Sequence, residues 1–288
     1  MVRKVSGWLV MCVMAVPLAT QAQTPTRPPD TSAGAVVAKA VSYIKDYQKA
    51  WEFVLADEIN VQEVFNARGL RVARREASGD FFLSYVAAEG RWLSVRDVAM
   101  VDGVPIENRD NLRQLLSRGS FARIGRQLAD HNARYNLGSI QRNFNDPMLA
   151  LVILDDTHRS RFRFKRLNVQ QTPTGPIVTV AFTERDRPTL VRGTDGSQIF
   201  ATGELVIEAA TGRLRRTVIT LKDRTITASL TTAFTENGTL GLWLPASLTE
   251  RYEGTADRQR EVVAAESTYS NYRKFTTDST VVPGEAAR

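Results

Sequence analysis

The chain has 288 residues, 43% of them hydrophobic and 24% charged, with two histidines, one cysteine and a formal net charge of +7. This composition excludes a disulfide framework and a cysteine-rich metal centre, and it is too apolar for a chain that stays unfolded. The charge excess comes without a recognition motif or an aromatic-interleaved basic platform, which argues against a nucleic-acid partner and leaves a solvated basic surface or contact with an anionic envelope surface.

Arg3 and Lys4 precede an apolar run from Val5 to Ala19, and small residues follow at Thr20-Gln21-Ala22. That order predicts a secretory signal cleaved after Ala22. The run is shorter than the roughly 20 apolar residues of a membrane-spanning helix and is broken by Pro17, which weighs against a retained anchor. Cys12 follows Met11 rather than a small residue, which weighs against lipidation, so the reading is of an apolar residue within the signal. Removing the first 22 of 288 residues leaves 266 with no cysteine and a charge of +5. The chain is then expected outside the cytoplasm, periplasmic or extracellular.

Residues 23–34 are rich in Pro, Thr and Ser and read as a flexible leader. From Ala35, the spacing of Val37, Val41, Ile44, Tyr47, Trp51 and Val54 predicts an amphipathic helix over 35–56. Ser78-Gly79-Asp80, Glu89-Gly90 and Asp102-Gly103 read as turns bounding strands at Phe81–Val86 and Trp92–Val101. Helical spacing returns from Asn111 to about Tyr135. Asn145-Asp146-Pro147 then opens a buried helix over Met148–Leu154. From Arg161 onward the pattern is a meander, with strands predicted at Phe162–Val169, Ile177–Thr183, Glu204–Ala209, Leu214–Leu221, Ile226–Phe234, Trp243–Tyr252 and Val262–Tyr272. Turns fall at Thr174-Gly175, Thr211-Gly212 and Asn237-Gly238, the last a strong hairpin signal. Strands grouped after a helical opening predict an α+β fold in which a curved antiparallel β-sheet, a half-barrel meander, wraps around amphipathic helices. One domain over 35–277 is expected, with a flexible tail at 278–288.

The sequence offers no recognisable catalytic constellation. His131 and His158 lie in different predicted elements without a partner at ligand spacing, and Asp155-Asp156-Thr157-His158 reads as a solvated loop rather than a metal cluster. Ser42 and Lys45 have the Ser-x-x-Lys spacing of an activated serine, but no Lys-Thr-Gly accompanies them and both fit the polar side of the helix. The expectation is therefore a non-enzyme with no metal and no cofactor. A distinctive row is Arg159, Arg161, Arg163 and Lys165, which alternate with Phe162 and Phe164 across the first meander strand. One strand face is thus cationic and the other aromatic. That row reads either as a charged, protected edge strand or as a basic surface for anionic headgroups or glycan. Trp51, Phe81, Trp92, Phe162, Phe164, Phe234 and Trp243 are the candidates to line an apolar ligand, and each also reads as ordinary core.

Several stretches together resemble an uncharacterised family of exported bacterial proteins: RDVAMVDGVPI from Arg96, NARYNLGSIQRNFNDPMLALVIL from Asn132, FTERDRPTL from Phe182, GELVIEAATGRL from Gly203, LWLPASLTERY from Leu242 and TYSNYRKF from Thr268. The resemblance transfers no catalytic residue. GELVIEAATGRL beside the WLP strand is also similar to the half-barrel of periplasmic lipoprotein carriers and outer-membrane lipoprotein-sorting proteins, which implies a sheet around helices able to hold acyl chains. The leading expectation is a carrier for a lipid, a lipoprotein acyl chain or another apolar ligand; the alternative is an envelope interaction or scaffold protein using the basic strand face. An apolar cavity of about 300 Å³ or more would favour the carrier.

Overall fold

The computed structural model describes residues 28–50, 54–86, 91–107, 132–140, 142, 146–193, 195–256 and 259–274. The signal segment with its cleavage site, Trp51, His131, the tail at 278–288 and all but the last residues of the helical spacing over 111–135 lie outside them.

Helix α1 (Ala33–Ala50) begins where Ser32 accepts a hydrogen bond from Val36 N at 3.0 Å on its carbonyl, while its hydroxyl faces Ala35 N at 3.4 Å. Its buried stripe is Val36, Val37, Ala40, Val41, Ile44 and Tyr47, recurring at three- and four-residue steps as an amphipathic helix requires. Each fully buried Val or Ile contributes about 1.5–3 kcal/mol.

Thirteen strands follow among the described residues. Eleven of them form one open antiparallel sheet: β1 (Val54–Phe65), β2 (Arg71–Val86), β3 (Arg91–Val101), β4 (Val104–Pro105), β5 (Phe162–Thr172), β6 (Gly175–Glu184), β9 (Ala201–Glu208), β10 (Leu214–Lys222), β11 (Ile226–Asn237), β12 (Leu242–Ala256) and β13 (Gln259–Lys274). Their order is β4-β3-β2-β1-β13-β12-β11-β10-β9-β6-β5, and β7 (Val191–Arg192) pairs separately with β8 (Gln198–Ile199). Seven predicted meander strands are present in β5, β6 and β9 to β13. Helix α1 and a 3₁₀ segment (Leu149–Leu154) pack together on one face of the sheet, α1 against β5 and β9, and the 3₁₀ segment against β10 and β3.

Four local expectations are corrected. Val54 starts β1 instead of extending the first helix, because both Val54 and its neighbour Leu55 are 1% exposed and successive strand side chains point to opposite faces; both faces of the sheet are covered there. Ser78-Gly79-Asp80 is strand, not turn: β2 runs straight through with a register shift at Gly79, where an added Cβ would meet Asp97 O at 2.0 Å. The 148–154 segment is buried as expected but wound as a 3₁₀ helix, with Asp146 Oδ1 accepting from Met148 N at 2.7 Å. Asp156–Arg159 is a short helix rather than a loop, tied to α1 by Lys45–Asp156 at 2.6 Å and by Gln48 Nε2 donating to Asp155 Oδ1 at 2.8 Å.

Candidate functional site

Where the C-terminal half of α1 crosses β12 and β10, three rings form a seam. Tyr47 is buried and donates its hydroxyl to Trp243 O, while Trp243 Nε1 donates to Leu214 O at 2.7 Å. Tyr43 stacks on Tyr47 at 5.5 Å between centroids, and Trp92 continues the row at 5.8 Å from Tyr47, with Tyr85 edge-on to it at 5.1 Å. These separations lie in the range of favourable aromatic pairs. The seam opens to solvent as a groove of about 180 Å³ lined by Tyr43, Asp46, Tyr47, Arg213, Glu236, Gly241, Leu242 and Trp243. Inward it narrows to a space of about 10 Å³ against Ile44, Leu151, Leu214 and Phe234, so α1 and the sheet are in close contact there. A larger groove of about 300 Å³ lies elsewhere, lined by Phe65, Asn66, Ala67, Gly69, Arg251, Arg260 and Val262. Its two arginines share Glu253, at 2.9 and 2.7 Å.

The groove mouth is cationic on one side. The Arg213 and Arg215 guanidinium carbons sit 5.5 and 5.0 Å from the Trp243 centroid, within cation–π reach. Arg215 also donates from Nε to Glu208 Oε1 at 2.6 Å. Burial, opposed by Arg213, pushes the Tyr43 hydroxyl up to about 12, so it remains a neutral donor across the neutral range. The turn at Thr211-Gly212 seats the helix: Gly212 has φ +79°, and a Cβ there would meet Lys39 O of α1 at 2.4 Å. Only glycine combines that φ with so close an approach.

A second cluster occupies the other end of the same sheet face. Glu58 on β1, 2% exposed, accepts two hydrogen bonds from Arg96 on β3, from Nη2 at 2.6 Å and from Nε. Asn60 Nδ2 donates to Ser267 Oγ at 2.8 Å. The Gln62 amide ties the sheet to the 132–142 strap, accepting from Leu137 N at 2.9 Å and from Arg142 Nη2 at 2.6 Å while its Nε2 donates to Tyr135 O at 3.3 Å. Arg142 lies over the Tyr252 ring at 5.8 Å, and Tyr252 donates to Glu250 Oε2 at 2.6 Å. Glu250 is 1% exposed, and its Oε1 has no partner among the described residues. Burial raises its carboxyl above the usual range, against the pull of the Tyr252 hydrogen bond, Arg96 and Arg142.

The predicted lining residues therefore divide. Trp243 and Phe234 line the seam and Trp92 extends it, whereas Phe81 packs on Tyr269 at 4.7 Å and Phe162 on Phe182 at 5.9 Å, deep in the sheet. Phe164 is partly buried beside them. Arg159 caps the short helix with an ion pair to Asp156 at 3.2 Å, so it stands apart from the strand row. Arg161 donates to Pro188 O, while Arg163 and Lys165 are exposed on β5. Ser42 and Lys45 lie on the exposed side of α1, and His158 has its proton affinity lowered by burial and then by Arg161. No group of metal-ligating side chains occurs among the described residues. Reading the sequence missed Tyr43 and Tyr47 as site residues, because helical spacing marks Tyr47 only as core and leaves Tyr43 off the apolar stripe. It also missed the Glu58, Arg96 and Glu250 cluster, whose members lie up to 192 positions apart.

No family model and no curated protein matches the chain. Among solved structures it is similar to a putative outer membrane lipoprotein-sorting protein domain from Vibrio parahaemolyticus, at 11% identity over 84% of this chain and 94% of that one, with a TM-score of 0.34. A DUF1329 family protein from Desulfovibrio piger is 11% identical over 86% of this chain and 95% of its own, with a TM-score of 0.37. The Pseudomonas aeruginosa MucA/MucB complex follows at 11% identity, 82% and 99% coverage and a TM-score of 0.19. The expected likeness to lipoprotein-sorting proteins is thus found, and at such scores the reading of this chain rests on its own residues.

Proposed function

We propose that this chain is a non-catalytic binding module of the cell envelope, acting after export, that takes an acyl chain or other apolar ligand at the aromatic seam between α1 and the sheet. The sheet then serves as a half-barrel around α1, and the groove is the point of entry. The observation that carries this reading is the groove itself: three aromatic rings open to solvent at one end and lead to the apolar core at the other, with Arg213, Asp46 and Glu236 as the charged groups of its lining. Since the inner space holds about 10 Å³, loading requires α1 to lift, and its end is held by the polar links Gln48–Asp155, Lys45–Asp156 and the buried Tyr47 hydroxyl on Trp243 O. The buried Glu58, Arg96 and Glu250 cluster lines neither groove described above, and Glu58 and Arg96 are bonded to each other across the sheet, which supports a structural role for that pair.

The test is native mass spectrometry with solvent extraction on protein recovered from its own host's envelope without detergent. Co-purifying lipid that disappears in Leu242→Asp, at the groove mouth, is the expected result. Protein that carries no lipid, or lipid retained unchanged in that variant, would sink the reading.

A further inference from the structure

The two edges of the eleven-stranded sheet differ. One is β4, two residues long and ending in Pro105, which lacks an N–H; a short, proline-bearing edge cannot template another strand. The other is β5, eleven residues long, hydrogen-bonded to β6 on one side and, among the described residues, to no strand on the other. From Phe162 to Arg166 it is regular, and its register shifts only between Arg166 and Asn168. At the end of that regular stretch Arg166 Nη1 reaches Thr31 O at 3.3 Å, so the segment preceding α1 borders β5 there, and among the described residues no strand pairs with Phe162–Lys165 on that side.

The side chains along that stretch have two characters. Phe162 and Phe164 point into the core, the first 3% exposed and the second only partly covered. Arg163 and Lys165 point outward and are exposed. The nearest carboxylate to Arg163 is Asp186 at 3.8 Å, itself 56% exposed, and Lys165 has no ion pair among the described residues. Two like charges at positions i and i+2 share one strand face, and opposite charges on an adjacent strand are what stabilise such a pair. β6 does not supply them: Thr183 and Ala181 stand opposite Arg163 and Lys165. Asp186 meets Arg163 from the end of β6, and the side of β5 away from β6 is where further carboxylates can reach both Arg163 and Lys165.

We infer that the free edge of β5 receives an extended acidic segment of another polypeptide, added as a further strand, in which carboxylate and apolar side chains alternate. Main-chain hydrogen bonds along Phe162–Arg166 supply the affinity, as in other strand additions. The carboxylates meet Arg163 and Lys165 on the outer face, and the intervening apolar side chains extend the core past Phe162 and Phe164. This edge lies apart from the groove at Trp243, so either assignment can fail without the other.

The experiment titrates the full chain with a blocked, fluorescent peptide of alternating Glu and Val, read by anisotropy and by hydrogen exchange. Three controls accompany it: the same peptide N-methylated at alternate residues, a block-ordered peptide of equal composition, and the variant Arg163→Glu/Lys165→Glu. The expected result is binding that protects amides of β5, weakened about tenfold or more by each control, since N-methylation removes the ladder and charge reversal creates repulsion. Equal affinity for the N-methylated or block-ordered peptide would overturn the inference by showing charge attraction alone. So would no binding to the alternating peptide, self-association through β5 that excludes the peptide, or binding to phosphatidylglycerol vesicles that outcompetes it. The peptide controls use unaltered protein, so a folding defect in the double variant leaves the test decisive.

Discussion

One face of one sheet is covered in two different ways. Under α1, the strands β9 to β11 present Leu205, Ile207, Leu214, Ile219 and Leu230 to a helix that brings Val37, Val41 and Ile44. Under the 132–142 strap, β1, β12 and β13 present Glu58, Asn60, Gln62, Glu250 and Ser267, and the cover is made by hydrogen bonds and guanidinium groups. Apolar contacts are non-directional, so the helix end can shift and still be buried. A buried ion network depends on geometry, and removing one partner leaves the other charged and unpaired. The sheet therefore has an adaptable end and a rigid end, and the proposed ligand seat lies at the adaptable one.

The sharpest way to break this contrast is Arg96→Met, which strands Glu58 and is expected to cost about 3–5 kcal/mol in urea unfolding, with Glu58→Leu/Arg96→Met recovering most of it. A loss below about 1 kcal/mol would show the polar end to be no more rigid than the other. Gly212→Ala, at φ +79° and 2.4 Å from Lys39 O, is expected to cost about 1–3 kcal/mol and to raise amide exchange in α1 while leaving the strap protected. Tyr47→Phe removes the bond to Trp243 O and should cost about 1 kcal/mol, with a red-shifted Trp emission if α1 loosens.

The smallest effect is the most specific. Glu250 has a folded pKa above its unfolded one, so its share of stability is complete below the ordinary carboxylate range and is lost as pH rises through the folded value. Glu250→Gln keeps the acceptor for Tyr252 and cannot ionise. Its stability relative to the unaltered chain should therefore increase with pH from acid to neutral. A difference that stays constant across that window would mean that Glu250 is ionised in the fold.

The meander was legible because its strands alternate in the expected sense: in β11, Ala228, Leu230, Thr232 and Phe234 face inward and are buried. β1 was not, because its alternation is inverted. Glu58, Asn60 and Gln62 are at most 3% exposed while Ile59 between them is 48% exposed, so hydropathy points to the wrong face and the three-residue step from Trp51 to Val54 mimics a continuing helix. The Gly79 reading failed for a related reason: glycine here answers to a neighbouring strand's carbonyl, a contact across 18 positions that no local pattern records. Trp243 and Phe234 could be named as lining residues from their size and spacing. Their partner Tyr47 could not, since the hydroxyl that ties it to Trp243 spans 196 positions.

The place of β13 has a consequence for the order of events in the life of the chain. It is the last strand in sequence among the described residues, yet it lies between β12 and β1 and pairs along its length with both. Among the described residues β1 through β4 are hydrogen-bonded to the rest of the sheet through no other strand. The first third of the chain must therefore wait, unpaired on one side, until residues 259–274 have been synthesised. Joining the two parts of the sheet is thus a long loop closure, and the seam between β1 and β12 stays open until β13 arrives to fill it.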